Sequence, residues 1–266
     1  MPNDSESKQS INVSASTASP EPDQNGKIGG FIFPRTLKVH TKLLSKENDV
    51  HDHESLYRLR YQVYCNEAHF LDPENYPDGL EFDEFDTVAE HFLAKNTSNN
   101  DDIVGTVRLI KWSEHFSFPT AVYFQSLQDT LGRLKFPLDS TAEISRLCIS
   151  KKYRRRSIDG LLVGEGYDAD RTSKRRQLPV VLDLFKSMYL ASKYNLGITH
   201  WIATFEDSLY RLLNRYGVHF KLLIPQEIDY YGKVKIYGAS LSQLEETMKK
   251  RRPELYEFFR GQPVHA

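Results

Sequence analysis

Between Glu81 and Asp86 the chain reads Glu-Phe-Asp-Glu-Phe-Asp, four carboxylates in six residues with aromatic rings between them. Four acids this close cannot all lose water cheaply. They are hydrated, paired with arginines, bound to a cation, or partly protonated. Arg60, Arg108 and Arg146 each interrupt a run that otherwise reads apolar and structured, and a guanidinium on a core-facing element needs a carboxylate fork to offset its burial. A network of acids and arginines is therefore expected. The blander readings are a solvated acidic loop and arginines that snorkel to the surface.

Other reactive side chains carry weaker signals. His69, His91, His115 and His200 stand singly on or beside strand-like runs and read as hydrogen-bonded structural residues. The spacing of His91 and the acids fits neither an EF-hand nor a zinc pattern, so no metal is expected. Cys65 and Cys148 are the only cysteines and lack a CxxC partner. They read as small buried apolar groups. Two cysteines make no disulfide framework, and the N-terminus has neither a basic start nor an apolar core, which points to a reducing, cytoplasmic setting.

These residues need elements to position them. Residues 1–30 hold six serines and no aromatics and read as a disordered tail. Leu37, Val39, Thr41 and Leu43 alternate as in a strand. Leu56, Leu59 and Val63 follow at helical spacing behind Asp52 as a cap, giving a helix of about four turns. Residues 69–86, with Pro73, Pro77 and Gly79, read as a long loop, and 90–95 and 103–112 as the two strands of a hairpin. Thr141–Ile149 reads as a strand with Ala142, Ile144, Arg146 and Cys148 on one face and Glu143, Ser145, Leu147 and Ile149 on the other, unless a bulge shifts the register.

In the back half, Pro179 opens a helix carrying Val181, Leu184, Phe185 and Met188, with Gly197 as its C-cap. A strand over 198–205 follows. Asp207 or Ser208 then caps a helix with Leu209, Leu212, Leu213 and Tyr216 on one stripe, ended by Gly217. Strands over 218–224 and 234–237 come next, and Ser242 with Glu245 forms a capping box for a last helix that Pro253 interrupts. An antiparallel front half and a helix-connected back half predict one mixed sheet with helices on both faces, an α/β (α+β) fold. The domain spans 31–240, with a helical extension over 241–266.

Composition narrows the function. With 35 Lys+Arg against 36 Asp+Glu and 39% apolar residues, the chain is neither wholly disordered nor collagen-like. No apolar run approaches the roughly 18 residues of a membrane span. A formal charge of −1 argues against a dedicated nucleic-acid binder.

Four motifs occur in order: Arg60-x-x-x-Tyr64, Glu81-x-Asp83-x-Phe85-Asp86, Gly105-x-x-Arg108-Leu109 and Glu143-x-Ser145-Arg146. As an ordered set they resemble the signature of acyl-homoserine-lactone (autoinducer) synthases. More broadly they are similar to N-acyl amino acid synthases, and most of all to the acyltransferase associated with PEP-CTERM/exosortase systems. The resemblance implies a GNAT-type acyltransferase fold, and the helices and strand from 180 to 217 are similar to the closing elements of that fold. It also implies that Arg60, Asp83, Asp86, Arg108 and Arg146 shape the pocket of an acceptor amine. The donor implied is a fatty acyl thioester on the 4'-phosphopantetheine of an acyl carrier protein, or acyl-coenzyme A, with no cofactor held permanently.

Forming an amide from a thioester requires a deprotonated amine and an oxyanion stabiliser. For the base, Glu143 or a water it holds is favoured, because a carboxylate beside apolar strand residues has a raised pKa; Glu81 is the rival. By resemblance the oxyanion meets backbone around Leu147, Cys148 and Ile149. Trp112, Phe116, Phe118 and Phe124 line an acyl-chain channel or are ordinary core.

In one place the chain departs from ordinary GNAT enzymes. Where they carry a glycine turn for the coenzyme A pyrophosphate, this sequence has Lys151, Lys152, Arg154, Arg155 and Arg156, and 151–176 holds nine Lys/Arg against four Asp/Glu. That segment suits the acidic face of an acyl carrier protein; a solvated face or nucleic-acid contact are the alternatives. Two other functions stay open: an acetyl-coenzyme A-dependent acetyltransferase, and a non-catalytic binding module of the same fold.

Overall fold

The structure is a computed structural model that describes residues 27–28, 31–32, 39–97, 102–153 and 178–261. Residues 27–28 and 31–32 pair as a two-rung hairpin. The rest of the expected N-terminal tail, and Arg154, Arg155 and Arg156, lie outside the described residues.

Seven strands form one sheet: β1 (Val39–Leu43), β2 (Glu90–Asn96), β3 (Asp102–Lys111), β4 (Thr141–Ile149), β5 (His200–Phe205), β6 (Lys221–Asp229) and β7 (Lys233–Ser240). Their order is β1-β2-β3-β4-β5-β7-β6. Every neighbouring pair is antiparallel except β4–β5, which is parallel. A parallel pair needs a long crossover, and helix α3 (Leu178–Tyr194), which begins one residue before Pro179, lies within it. The expected mixed sheet with helices on both faces is what the chain forms.

Alternation along the strands sorts the helices onto the two faces. Phe92, Ala94, Trp201 and Ala203 face a large core with α3, α4 (Asp207–Tyr216), α5 (Leu241–Arg251) and α6 (Pro253–Arg260). Leu93 and Ile202 point the other way. There Leu93 meets Leu56 of α1 (Val50–Tyr61), while Ile202, Ile224 and Ile236 pack with Phe118, Leu127 and Leu131, the last two on α2 (Leu127–Arg133). Helix α2 has no counterpart in the sequence reading, because seven residues give too short a period to recognise.

Four local expectations are corrected. Glu206, not Asp207 or Ser208, stands at the N-cap of α4. Asp49, not Asp52, stands at the N-cap of α1, while Asp52 binds Lys95 from inside the first turn. Ser242 and Glu245 form no capping box: Ser240 is the N-cap of α5, and Glu245 accepts from Tyr189 and Lys193 instead. The strict alternation along β4 also fails. Thr106 pairs with Cys148 and Arg108 with Ser145, so Arg146 and Leu147 together oppose Val107. Arg146 sits at this bulge with φ +50°, a left-handed conformation strained for a non-glycine residue. Beyond it the faces exchange. Leu147 and Ile149 turn to the large core, and Cys148 joins Val63 and Tyr64.

Candidate active site

Helix α1 does not stop at Tyr61 but widens into a π-turn over Gln62–Glu67, with Ala68 N–H donating to Val63 O at 2.9 Å. This places Arg60 on the last α turn and Tyr64 on the π-turn, both facing β3 and β4. The acidic segment closes over them. Asp83 and Asp86 form a reciprocal capping box around the 3-10 turn Glu84–Thr87, which orients their carboxylates through bonds that do not involve the arginines.

The expected network forms. Arg60 forks onto Asp86 through Nη1 (2.7 Å) and Nη2 (2.9 Å), and its Nε donates to Glu81. Arg108 Nη1 reaches Asp83 and Asp86 at 2.6 Å each, Nη2 reaches Asp83 at 2.8 Å, and Nε donates to Ser145 Oγ at 2.8 Å. Arg146 Nε contacts Glu81 at 3.1 Å and Nη2 contacts Asp83 at 3.0 Å. Three guanidiniums thus meet three carboxylates, and Glu84, the fourth acid of the segment, is exposed.

Burial and charge then set the protonation states. Burial would raise Glu81, but Arg60 and Arg146 outweigh it and hold its carboxyl at about 2, which makes Glu81 a poor proton acceptor. Asp86 is likewise driven well below its usual range, burial being overcome by Arg60 and Arg108. His91 is buried beside Asp86, and desolvation pulls it down to about 3, so it is neutral.

Glu143 has the opposite environment. Its side chain is fully buried and accepts from Thr120 N (3.1 Å) and Thr120 Oγ1 (2.6 Å). Desolvation exceeds the effect of these bonds and lifts its carboxyl from 4.5 to about 7. Both thiols are buried and raised, Cys65 to about 11 and Cys148 to about 12, with desolvation the main cause.

The network backs a cleft. β4 and β5 pair only from Thr141/His200 to Ile144/Ala203. Beyond this, β4 follows β3 while Thr204 and Phe205 pair only with β7, so the sheet splits at the carboxyl ends of its one parallel pair. The opening holds about 720 Å³, its mouth included. Ile144, Ser145, Arg146 and Leu147 form one wall, and Thr204, Phe205, Glu206 and Leu209 the other. Tyr64 and Phe70 flank the first wall, and Tyr230, Tyr231 and Val234 close the cleft from the β6–β7 hairpin.

The tip of that hairpin spans both walls. Tyr231 (φ +53°) and Gly232 (φ +109°) make the turn. Arg146 lies between the rings of Tyr64 (5.6 Å) and Tyr231 (5.3 Å), and its Nη1 is 3.5 Å from Tyr230 OH. Gly105 also serves the split: a Cβ there would come within 2.5 Å of Ile149 Cδ1 and 2.9 Å of Cys148 O, so only glycine lets β3 approach β4 past the bulge.

Of the residues singled out from sequence, Arg146 and Leu147 line the cleft. Arg60, Asp83, Asp86, Arg108 and Glu81 stand behind its wall. Glu143, Cys148 and Ile149 are buried nearby without lining it. Lys151 and Lys152 are exposed after β4, with Lys152 paired to Asp102. Phe118 is ordinary core, with Trp112 and Phe124 against it. Glu206, Tyr230 and Tyr231 escaped sequence reading. Their available signals were a Tyr-Tyr-Gly turn between two apolar runs and an acid directly after a strand that borders the parallel pair, where ligands collect in open sheets.

A mixed seven-stranded sheet, parallel only between its fourth and fifth strands and split beyond a bulge, is a GNAT-type fold. Residues 59–164 match the family model described as acetyltransferase (GNAT) domain. Among solved structures, the chain is similar to the acyl-homoserine-lactone synthase LasI, with a TM-score of 0.56 and 13% identity over 86% of this chain and 99% of that one. It is also similar to FeeM, an N-acyl amino acid synthase from uncultured soil microbes (TM-score 0.54, 12% identity, 81% and 97% covered). A third is BjaI, a CoA-dependent acyl-homoserine lactone synthase in complex with MTA (TM-score 0.54, 16% identity, 77% and 84% covered). No curated protein sequence gives a match. Among the described residues no helix is long and apolar enough to cross a membrane.

Proposed function

We propose that the protein is an N-acyltransferase that moves a fatty acyl group from an acyl carrier protein thioester to the amine of a small molecule, an amino acid or a signal precursor. The observation that carries this reading is the split between β4 and β5, a slot between two strand ends with apolar residues on both walls. A pantetheine arm is narrow and extended enough to enter such a slot, and its thioester would then lie against the backbone of the bulge. Strand backbone that has left its neighbour has unpaired N–H groups to offer an oxyanion, and in this reading Leu147 and the residues after it supply them.

Arg60, Asp83, Asp86 and Arg108 act as positioning residues. Their mutual neutralisation holds Arg146 and Ser145 against the acceptor side of the cleft. Glu143, with its carboxyl at about 7, takes the proton of the attacking amine through an intervening water, since its own oxygens are held by Thr120. Lys151 and Lys152 begin the basic segment assigned to carrier docking.

A coenzyme A thioester is the second donor, supported by the GNAT family match and by the likeness to a synthase that is itself CoA-dependent. The test is to incubate the protein with decanoyl-acyl carrier protein or decanoyl-CoA and a set of amines, and to identify amides by mass spectrometry. Amide from the carrier alone supports the first reading, and amide from CoA alone the second. Acetyl-CoA is run as a third donor: amide from it alone supports an acetyltransferase, and no amide from any of the three leaves a binding module.

A further inference from the structure

The cleft carries two charged side chains. Arg146 is compensated by Glu81 and Asp83. Glu206 faces it from the other wall and has no cationic partner among the described residues. Among the described residues its carboxylate accepts from Ser208 Oγ, at 3.2 Å. Its neighbour Asp207 is already engaged by Lys235 (2.9 Å) and Tyr237 OH (2.8 Å) and is no competitor. A half-buried carboxylate that lines a cleft without a cationic side chain against it leaves a place for a cationic guest, and the tyrosines that line the same cleft suit a cation better than a second anion.

The geometry points to Glu206 as the seat of a primary ammonium: we propose that the acceptor amine enters the cleft protonated and is held there by this carboxylate, in the cleft that Tyr230 and Tyr231 also line. The tight turn leaves room for this. A Cβ on Gly232 would lie 3.2 Å from Glu206 Oε1, so the glycine keeps the hairpin tip close to the carboxylate without displacing it. The inference takes its reaction from the acyltransferase reading, but its binding step stands without that reading. Glu206 binds and positions, while the proton leaves for Glu143.

Burial raises Glu206 above its usual range, so ammonium binding should weaken as the medium is acidified through that range. The other ionisable groups around the cleft are Arg146 and Glu143 on β4, Glu81 and Asp83 bound to Arg146, Asp207 at the start of α4, Tyr64 on the π-turn, Tyr123 against Tyr230, and Tyr230 and Tyr231 on the hairpin. Arg146, Tyr64 and Tyr230 keep one charge state across the acid range, so the other carboxylates are the groups to be separated. Glu206→Gln separates them, because it retains them all.

Hexylamine is the probe and hexan-1-ol the neutral control, each titrated into the full chain by ligand-observed NMR. Hexylamine should bind the wild type more tightly than hexan-1-ol does. Glu206→Gln should weaken hexylamine at least tenfold and leave hexan-1-ol unchanged, and Glu206→Asp should recover part of the loss, with melting curves showing that each variant folds. In acylation assays Glu206→Gln should raise the KM for hexylamine far more than it lowers kcat. Equal binding of hexylamine to wild type and Glu206→Gln, or none to the wild type, overturns the proposal. Glu206-dependent binding without amide formation from any of the three donors upholds the subsite and refutes the acyltransferase reading instead.

Discussion

Replacing Asp86 by asparagine tests whether the buried network is balanced as its geometry implies. Asp86 accepts four hydrogen bonds, from Arg60 Nη1 and Nη2, Arg108 Nη1 and the backbone N–H of Asp83. Asparagine keeps one acceptor oxygen, so whichever way the amide turns, its NH2 faces two of those donors. The cluster would then hold three guanidiniums against two carboxylates with almost no solvent to dilute the excess. Breaking a buried pair in this way costs about 3–5 kcal/mol, which for a chain of this size lowers the melting temperature by roughly 6–20 °C. Thermal and urea unfolding read the loss directly. Glu84→Gln, in the same segment but exposed, is the control and should stay within about 0.5 kcal/mol of wild type. Adding Arg60→Met to Asp86→Asn restores two against two, so the double variant should lose less than the sum of the singles. An Asp86→Asn melt within 1 kcal/mol of wild type (roughly the size of one neutral hydrogen bond), or strictly additive singles, would refute the balanced cluster.

Glu143→Gln should cut amide formation far more than it cuts stability; an unchanged rate removes Glu143 from the proton path. Because Glu143 titrates at about 7 rather than 4.5, its stabilising contribution is complete below 4.5 and is lost as pH rises through 7. The glutamine variant should therefore gain on wild type by up to about 3 kcal/mol between those limits, read from melts across pH. His91 has the opposite sign: held at about 3 instead of 6.5, its contribution is present above 6.5 and lost as pH falls toward 3, with Glu81 adding to the loss from 4.5 down to about 2. In the Glu143→Gln background, proton uptake on unfolding that fails to rise below pH 6.5 would contradict the His91 assignment, and one that fails to rise again below 4.5 would contradict that of Glu81. Cys65 and Cys148, buried with raised pKa values, should resist a thiol reagent in the native protein and react at once after denaturation.

The sequence was most readable where a single physical rule acted locally. In the run from β5 through α4, apolar residues repeat at the helical period and Gly217 (φ +96°) ends the helix; propensity and packing agree there, so the pattern is clear. The ion network was readable for a related reason. Arg60, Arg108 and Arg146 interrupt apolar runs, and a buried guanidinium must find a carboxylate. Less could be read from 113–140, where two 3-10 turns (Pro119–Val122 and Leu138–Ser140) and α2 each span too few residues to show a period. The cleft itself was hidden, because its shape depends on where β4 and β5 part and on one extra residue at Arg146. A single-residue shift exchanges the two faces of a strand, and local composition does not announce it. Glu206 and Tyr230 gave no sign of a common role for the same reason: only the three-dimensional meeting of two strand ends brings them to one cleft.

The ion cluster joins α1, the acidic segment, β3 and β4, whereas beyond the four paired rungs of β4 and β5 the far side of the split meets the cluster, among the described residues, through Tyr230 and Tyr231 on Arg146. Half of the slot is thus riveted and half is hinged on a pair of rings. Selection or design can lengthen, shorten or repaint that hairpin turn to admit different guests without disturbing the rivets on which folding depends, so guest choice and fold integrity are separately adjustable in this chain.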